Sequence, residues 1–219
     1  MVSVILVGGG SGKRFGNTNI PKQFTKIDGK EIIDYSVEKF INHNNVDELI
    51  IVSHENWVGH LSKKYPNLKI IPGGLTRSQS VIKGLSKLSS QSKKVLIHDA
   101  ARPLINTETI TICINTLDTY DCVAPIINIR ESIVQIDKEH YDYINRDKIK
   151  IVQTPQCFRI NVIKELYNTS IDSSDEISLA LKSDKNYTIK FISGSEENIK
   201  ITTKGDLDST KILLKNMEV

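Results

Sequence analysis

The chain has 219 residues, 39% hydrophobic and 25% charged, a composition that suits one large α/β domain with a real core. Basic side chains number 29 against 26 acidic ones, a net charge of +3, too small by itself to argue for a nucleic-acid or membrane partner. Cys113, Cys122 and Cys157 are sparse, odd in number and without a CxxC pair. That pattern argues against a disulfide framework and a zinc site, and for small buried apolar side chains in a reducing compartment.

Residues 2–7 form a continuous β-branched run, as expected of a strand buried on both faces. The start lacks the basic character and length of a signal peptide, and no long apolar run follows, so a cytoplasmic protein free of the membrane is expected. Ile33, Val37, Phe40 and Ile41 then show helical spacing. A strand is predicted at 49–52, a helix through Trp57, Leu61 and Tyr65, and a short strand at 69–71 ending at Pro72. Val81, Ile82, Leu85 and Leu88 mark a further helix, followed by a strand at 95–97, a helix around 109–117 and a strand at 122–126. Such alternation predicts βαβ units in a doubly wound, mostly parallel sheet.

Residues 127–151 break the pattern, being polar and extended without helical spacing. A compact domain rarely carries so long a connection without purpose. Ile133, Val134 and Ile136 with Tyr141 and Tyr143 fit two strands of a projecting hairpin. Helices at 161–167 and 175–182, a strand at 187–192 and a helix from about Lys204 complete the chain. The expectation is a single domain over residues 1–219 with an arm at about 127–151.

Directly after the first strand comes Gly8-Gly9-Gly10-Ser11-Gly12-Lys13-Arg14-Phe15-Gly16. Glycines let backbone approach a ligand closely, and consecutive N–H groups can converge on phosphate oxygens. In α/β sheets this carboxyl edge is where ligands bind. The loop is no P-loop, because Gly8 and Gly12 are too close and Arg14 stands where Ser or Thr should bind magnesium. The dinucleotide fingerprint fails as well, with Phe15 in place of the third glycine. Taken alone, the loop reads equally as a tight βα turn with solvated charges.

Downstream stand Pro21-Lys22-Gln23-Phe24, Gly73-Gly74-Leu75-Thr76-Arg77-Ser78-Gln79-Ser80, His98-Asp99-Ala100-Ala101-Arg102-Pro103, Gln153-Thr154-Pro155-Gln156 and Asn198-Ile199-Lys200-Ile201-Thr202. Together with the glycine loop, and in this order, they resemble the cytidylyltransferases that make CDP-polyols. That family includes the 2-C-methyl-D-erythritol 4-phosphate and ribitol-5-phosphate cytidylyltransferases. The resemblance spans essentially the whole chain. It implies a Rossmann-like nucleotidyltransferase fold, CTP and a small polyol phosphate as substrates, Mg2+ as cofactor, and a homodimer formed by arm exchange.

The same resemblance implies residue roles. Arg14 and Lys22 would contact the triphosphate, with Lys22 stabilising charge developing around the α-phosphorus, whereas Lys13 reads equally as a solvated loop residue. Gly8 and Gly9 would present backbone groups to cytosine, and Gly10 and Gly12 would complete the loop. Gly74 and Ser80 would recognise cytosine, with Arg77 supporting their loop. Asp99 would serve the ribose and the metal, Arg102 the acceptor phosphate and Lys200 the joined phosphates. Arg130 and Ser132 on the arm, Arg146 and Thr154 would bind the acceptor. Glu131 and Ser132 depart from the family's commonest Asp and Thr but keep the carboxylate and hydroxyl. His98 reads as packing.

The implied reaction needs no side-chain nucleophile, since a phosphate monoester with a second pKa near 6 is already ionised at pH 7. The protein's task is to align two repelling anions and stabilise the charge of the transition state. Three other readings remain: an acceptor such as ribitol 5-phosphate, a catalytically silent nucleotide-binding scaffold, and a dinucleotide-dependent dehydrogenase. Retention of Arg14, Lys22, Asp99 and Lys200 speaks against the scaffold. For the acceptor, Trp57-Val58-Gly59-His60 and the spacing from Arg14 to Pro21 look like ribitol-phosphate enzymes. Arg102, Arg130 and the segment from Val152 to Arg159 look like methylerythritol-phosphate enzymes. The second set is weighted more, because Trp57 is expected on a helix remote from the acceptor.

Overall fold

The computed structural model describes residues 1–9, 15, 20–168 and 174–217. Gly10, Gly12, Lys13 and Arg14 of the predicted glycine loop therefore lie outside the described residues. In chain order the elements are β1 (Val2–Gly8), β2 (Lys26–Ile27), β3 (Lys30–Glu31), α1 (Ile32–Ile41), β4 (Glu48–Ser53), α2 (Glu55–Lys64) and β5 (Lys69–Pro72). Next come α3 (Arg77–Leu85), β6 (Lys94–Asp99), α4 (Thr107–Thr116), β7 (Cys122–Asn128), β8 (Ile133–Asp137) and β9 (His140–Ile144). The chain ends with β10 (Lys150–Val152), β11 (Gln156–Arg159), α5 (Ile160–Leu166), α6 (Glu176–Lys182), β12 (Ile189–Ser193) and α7 (Lys204–Met217).

The main sheet runs in the order β7, β11, β6, β1, β4, β5, and β12 pairs with the outer side of β7. β1 pairs in parallel with both β4 and β6, β4 with β5, and β12 with β7. The continuous apolar runs of β1 and β6 match strands buried on both faces, since Val4, Ile5 and Leu6 of β1 and Val95, Leu96 and Ile97 of β6 are fully buried. One cluster packs α1, α2 and α4 on one face, through Val37, Phe40, Leu61 and Ile110. The other face holds α3, α5 and α6 through Val81, Ile163 and Ile177. α7 closes a smaller cluster in which Leu207 joins Ile27, Ile32 and Ile201. The three cysteines are buried and unbridged in this interior. Among the described residues no helix is long and apolar enough to cross a membrane.

Besides the short pair β2–β3, two strands of the main sheet are unforeseen by periodicity. β11 runs antiparallel to both β6 and β7, wedged between them. β10 pairs antiparallel with the far end of β7, Lys150 opposite Asn128 and Val152 opposite Ile126. β10 and β11 thus follow one line along β7, broken by Gln153, Thr154 and Pro155. The ends of the predicted arm, near residues 127 and 151, accordingly belong to the main sheet, and the free part is the hairpin β8–β9. There Ile136 lies opposite Tyr141 and Val134 opposite Tyr143. Cross-strand partners share a face, and this one is largely bare, with Tyr143 81% exposed and Ile136 and Tyr141 each 66%.

Candidate active site

The parallel strands β1, β4, β5 and β6 all end at one edge, which brings Gly8, Ser53, Pro72 and Asp99 side by side. Val7 is in register with Asp99, and Gly8 with Ser53. The loop after β5 folds back against the loop after β1. The Ser80 hydroxyl accepts from the Gly74 N–H at 3.0 Å and donates to the Thr76 carbonyl at 3.0 Å. A Cβ on Gly74 would fall 2.3 Å from the Cβ of Gln79, so only glycine fits this turn. A Cβ on Gly9 would lie 3.2 Å from the Ser80 hydroxyl. Gly9, Gly73, Gly74 and Ser80 therefore pack closely where the two loops meet, beside Gly8 at the end of β1.

At the same sheet edge, Asp99 stands among cations. Its carboxylate receives Lys200 Nζ at 2.8 Å and Arg77 Nε at 3.3 Å, with Arg102 Nε at 3.8 Å. Burial alone would raise this carboxyl, but Arg77, Lys200 and Arg102 outweigh it and hold it well below the usual carboxylate range. Arg77 is the first residue of α3 and reaches Glu176, the first residue of α6, at 2.6 Å. The Tyr167 hydroxyl donates to the same carboxylate at 2.8 Å. A line of alternating charge thus runs from Glu176 through Arg77 and Asp99 to Lys200. Lys22 sits in a single 3₁₀ turn, Lys22–Phe24, and its ammonium donates to the Ile201 carbonyl at 2.6 Å, one residue beyond Lys200.

Thr154 occupies the break between β10 and β11. His98 is fully buried, and burial pushes its imidazole down to about 4, so the ring is neutral at pH 7. Its Nε2 lies 3.1 Å from the Arg102 carbonyl, which can only accept, so Nε2 carries the proton. Nδ1 then accepts from the Thr154 hydroxyl at 3.0 Å, and that oxygen accepts from the Asp99 N–H at 3.2 Å. His98 packs against Phe40 as expected of a core residue, and it also fixes the Thr154 hydroxyl. The Asn198 amide donates to the Thr154 carbonyl at 2.9 Å, while Arg102 donates to the Asn198 carbonyl at 2.7 Å.

A second group gathers at the foot of the hairpin. Asn128, Arg130, Arg146 and Lys150 help to line a cleft of about 440 Å³. Arg146 donates to the Arg130 carbonyl, and Arg130 pairs with Glu196 in the segment just before Asn198. Ser132 is exposed nearby. Arg130, Ser132 and Arg146 therefore stand apart from the ring around Asp99, on the arm side of the same sheet edge.

Sequence reasoning gave no role to Glu176 or Tyr167, nor to Gln156, which it quoted only as part of a motif. The Gln156 side-chain oxygen Oε1 accepts from the N–H groups of Glu176 and Ile177 at 3.0 and 2.9 Å, docking the start of α6. Asp175 before an apolar run does signal a helix N-cap, and it accepts from Ser178 N–H at 2.8 Å. No local signal shows that the next residue is fully buried against an arginine 99 positions away.

Among known proteins, the model of the 2-C-methyl-D-erythritol 4-phosphate cytidylyltransferase family matches residues 2–216. The enzyme of that name from Clostridium botulinum (strain 657 / Type Ba4) is 36% identical over 216 residues, covering 94% of this chain and 93% of its own. A bifunctional ribulose 5-phosphate reductase/CDP-ribitol pyrophosphorylase of Haemophilus influenzae is 35% identical over 93% of this chain and 46% of that protein. The structure of 4-diphosphocytidyl-2C-methyl-D-erythritol synthase from Anaerococcus prevotii superposes with a TM-score of 0.87 at 25% identity, covering 98% of both chains. With a family model spanning residues 2–216 and full-length relatives, this chain belongs to the 2-C-methyl-D-erythritol 4-phosphate cytidylyltransferase family.

Proposed function

We propose that this protein transfers CMP from CTP to 2-C-methyl-D-erythritol 4-phosphate, an isoprenoid-precursor step. The observation that carries the reading is the cationic ring of Arg77, Arg102 and Lys200 around Asp99, beside Lys22, in a fold of this family. An oxygen of the acceptor phosphate attacks the α-phosphorus of CTP. The new P–O bond forms as the α–β bridging bond breaks, and pyrophosphate leaves with that electron pair. The acceptor dianion carries no proton to remove at pH 7, which agrees with a buried, neutral His98 engaged elsewhere. Lys22 and Lys200 bind the phosphates and offset the charge that grows on their oxygens, Arg14 joins them, and the loops of Gly8, Gly9, Gly74 and Ser80 take the cytosine.

Among the described residues, no group of three or more His, Cys, Asp or Glu side chains is placed to hold a metal alone. One carboxylate plus substrate phosphates is the hard oxygen donor set that suits Mg2+, so Asp99 fits as its protein ligand once CTP is present. Bound there, the ion would neutralise phosphate charge. The buried, unbridged cysteines support a cytoplasmic setting.

A second reading of the acceptor has specific support in the Haemophilus influenzae relative named for CDP-ribitol synthesis. The two polyols differ by a branch methyl and one carbon, and a methyl in a pocket is worth only about 1–3 kcal/mol. Some cross-reactivity is therefore expected. With CTP, magnesium and equimolar acceptors, kcat/KM should rank 2-C-methyl-D-erythritol 4-phosphate above ribitol 5-phosphate. Mainly CDP-ribitol among the products would reverse the assignment, and no pyrophosphate release with any polyol phosphate would leave the scaffold reading standing.

The bare apolar face of β8–β9 supports a homodimer in which each arm covers its partner and lends Arg130, Ser132 and Arg146 to the neighbouring site. Isologous pairing is the common way to bury such an element. Mixing Lys22→Ala with Arg146→Ala subunits should then restore part of the activity, because one mixed site keeps both residues. A monomer by light scattering, or exchanged heterodimers with no recovery, would refute arm exchange.

A further inference from the structure

The segment Trp57-Val58-Gly59-His60 plays no part in the site described so far, yet it touches the turn that carries Lys22. A three-residue 3₁₀ turn cannot hold itself, because so few backbone bonds do not repay the ordering of the chain. Here Phe24 N–H bonds to the Pro21 carbonyl at 2.9 Å and Thr25 N–H to the Lys22 carbonyl at 3.1 Å, and the turn has no side-chain cap. Its anchors are tertiary. On one side Gln23 donates its amide to the Gly8 carbonyl. On the other, the buried Phe24 ring stacks on Trp57 with centroids 3.9 Å apart and planes 10° from parallel.

The tryptophan is itself held. His60, one helical turn on, meets the Trp57 ring edge-on at 5.3 Å and the Phe24 ring at 6.0 Å. The same imidazole lies 2.9 and 3.1 Å from the two carboxylate oxygens of Glu31. Glu31 is buried and caps α1 through a reciprocal box with Asp34. Lys64 bonds to Glu31 at 2.9 Å and to Asp34 at 2.5 Å. A rigid path therefore leads from the α1 cap through α2 to the aromatic stack, and from the stack to the lysine turn.

We propose that Trp57 is a positioning residue for the transfer reaction: by stacking on Phe24 it sets the height and tilt of the Lys22 turn against the sheet edge, so that the lysine ammonium meets the nucleotide phosphates. The inference rests on the reading that Lys22 faces those phosphates. It also gives a role to a tryptophan that stands apart from the acceptor residues.

The test compares full-length wild type with Trp57→Leu, which keeps apolar bulk but has no planar face, and Trp57→Phe, which keeps the face. Misplacing a reacting group by about 1 Å costs up to about 10²-fold, so kcat of Trp57→Leu should fall by about 10-fold or more with either substrate's KM little changed. Trp57→Phe should recover most of it, because an aromatic pair is re-formed. A merely structural role would instead lower the melting temperature and leave kcat of the folded fraction unaltered. Wild-type turnover by Trp57→Leu, or equal losses in both variants, would overturn the proposal. Trp57 is the chain's single tryptophan, so its emission in the unmodified enzyme gives a readout that depends on no variant's folding. CTP should change that emission with a midpoint near its KM, as the Lys22 ammonium leaves the Ile201 carbonyl for the phosphates; no change at saturating CTP overturns the proposal. Full activity of Lys22→Ala would sink the reading beneath it, whereas an inactive Lys22→Ala beside a fully active Trp57→Leu sinks the Trp57 inference alone.

Discussion

Lys22→Ala is expected to lower kcat by about 10²–10³, the scale for removing one preorganised charge partner from a transition state. Lys22 stands on a short turn whose buried anchors are Gln23 and Phe24 rather than the lysine itself. Its ammonium lies against the Ile201 carbonyl, next to Lys200, which pairs with Asp99. Truncation therefore removes a cation held against the Ile201 carbonyl and leaves the turn's packing in place. The circular dichroism spectrum and melting temperature should match wild type while turnover collapses at saturating CTP and magnesium. Turnover near the wild-type value under those conditions would remove Lys22 from the catalytic set.

Glu176→Ala should act on stability first. The Glu176 side chain is 1% exposed and that of Arg77 25%, and the pair joins the starts of two helices on one face of the sheet. Removing one partner of a buried ion pair leaves an uncompensated charge and costs about 3–5 kcal/mol. The Tyr167 hydroxyl would lose its acceptor at the same time. Chemical denaturation should report a loss in that range, with Glu176→Gln milder because the amide oxygen still accepts from Arg77. Relieved of Glu176, Arg77 would lean further onto Asp99 and compete with whatever that carboxylate binds, so the folded fraction should also turn over more slowly. A denaturation midpoint equal to wild type would show that the pair contributes nothing net.

Much of this molecule can be read along the chain. Helical stripes report which faces of α1 through α4 are buried, and short continuous β-branched runs, too brief for helices, mark β1, β4, β6 and β7 as strands. The arm was legible too, since Val134, Ile136, Tyr141 and Tyr143 alternate with polar residues beside a helix-free stretch. The glycine loop after the first strand was legible as a close-approach site, but what the absent Cβ atoms of Gly8 and Gly9 make room for, Ala100 and Ser80, lies far along the chain. Five ordered motifs then pointed to the family.

What the sequence could not decide was partnership across distance. β11 is four residues long, too short for a periodic signal, and its place between β6 and β7 is set by hydrogen bonds to strands remote in sequence. The stack of Trp57 on Phe24 and the pairing of Arg77 with Glu176 arise in the same way. Each partner has an ordinary local setting, a helix surface or a helix first turn, and becomes special only when the sheet brings two such settings together. Helix and strand periodicity follow from neighbours three, four or two residues apart, so sequence by itself determined the helices, the central parallel strands and their buried faces. Which charges neutralise Asp99 and which ring steadies Lys22 depend on the order in which strands pair, and tertiary structure alone decided them.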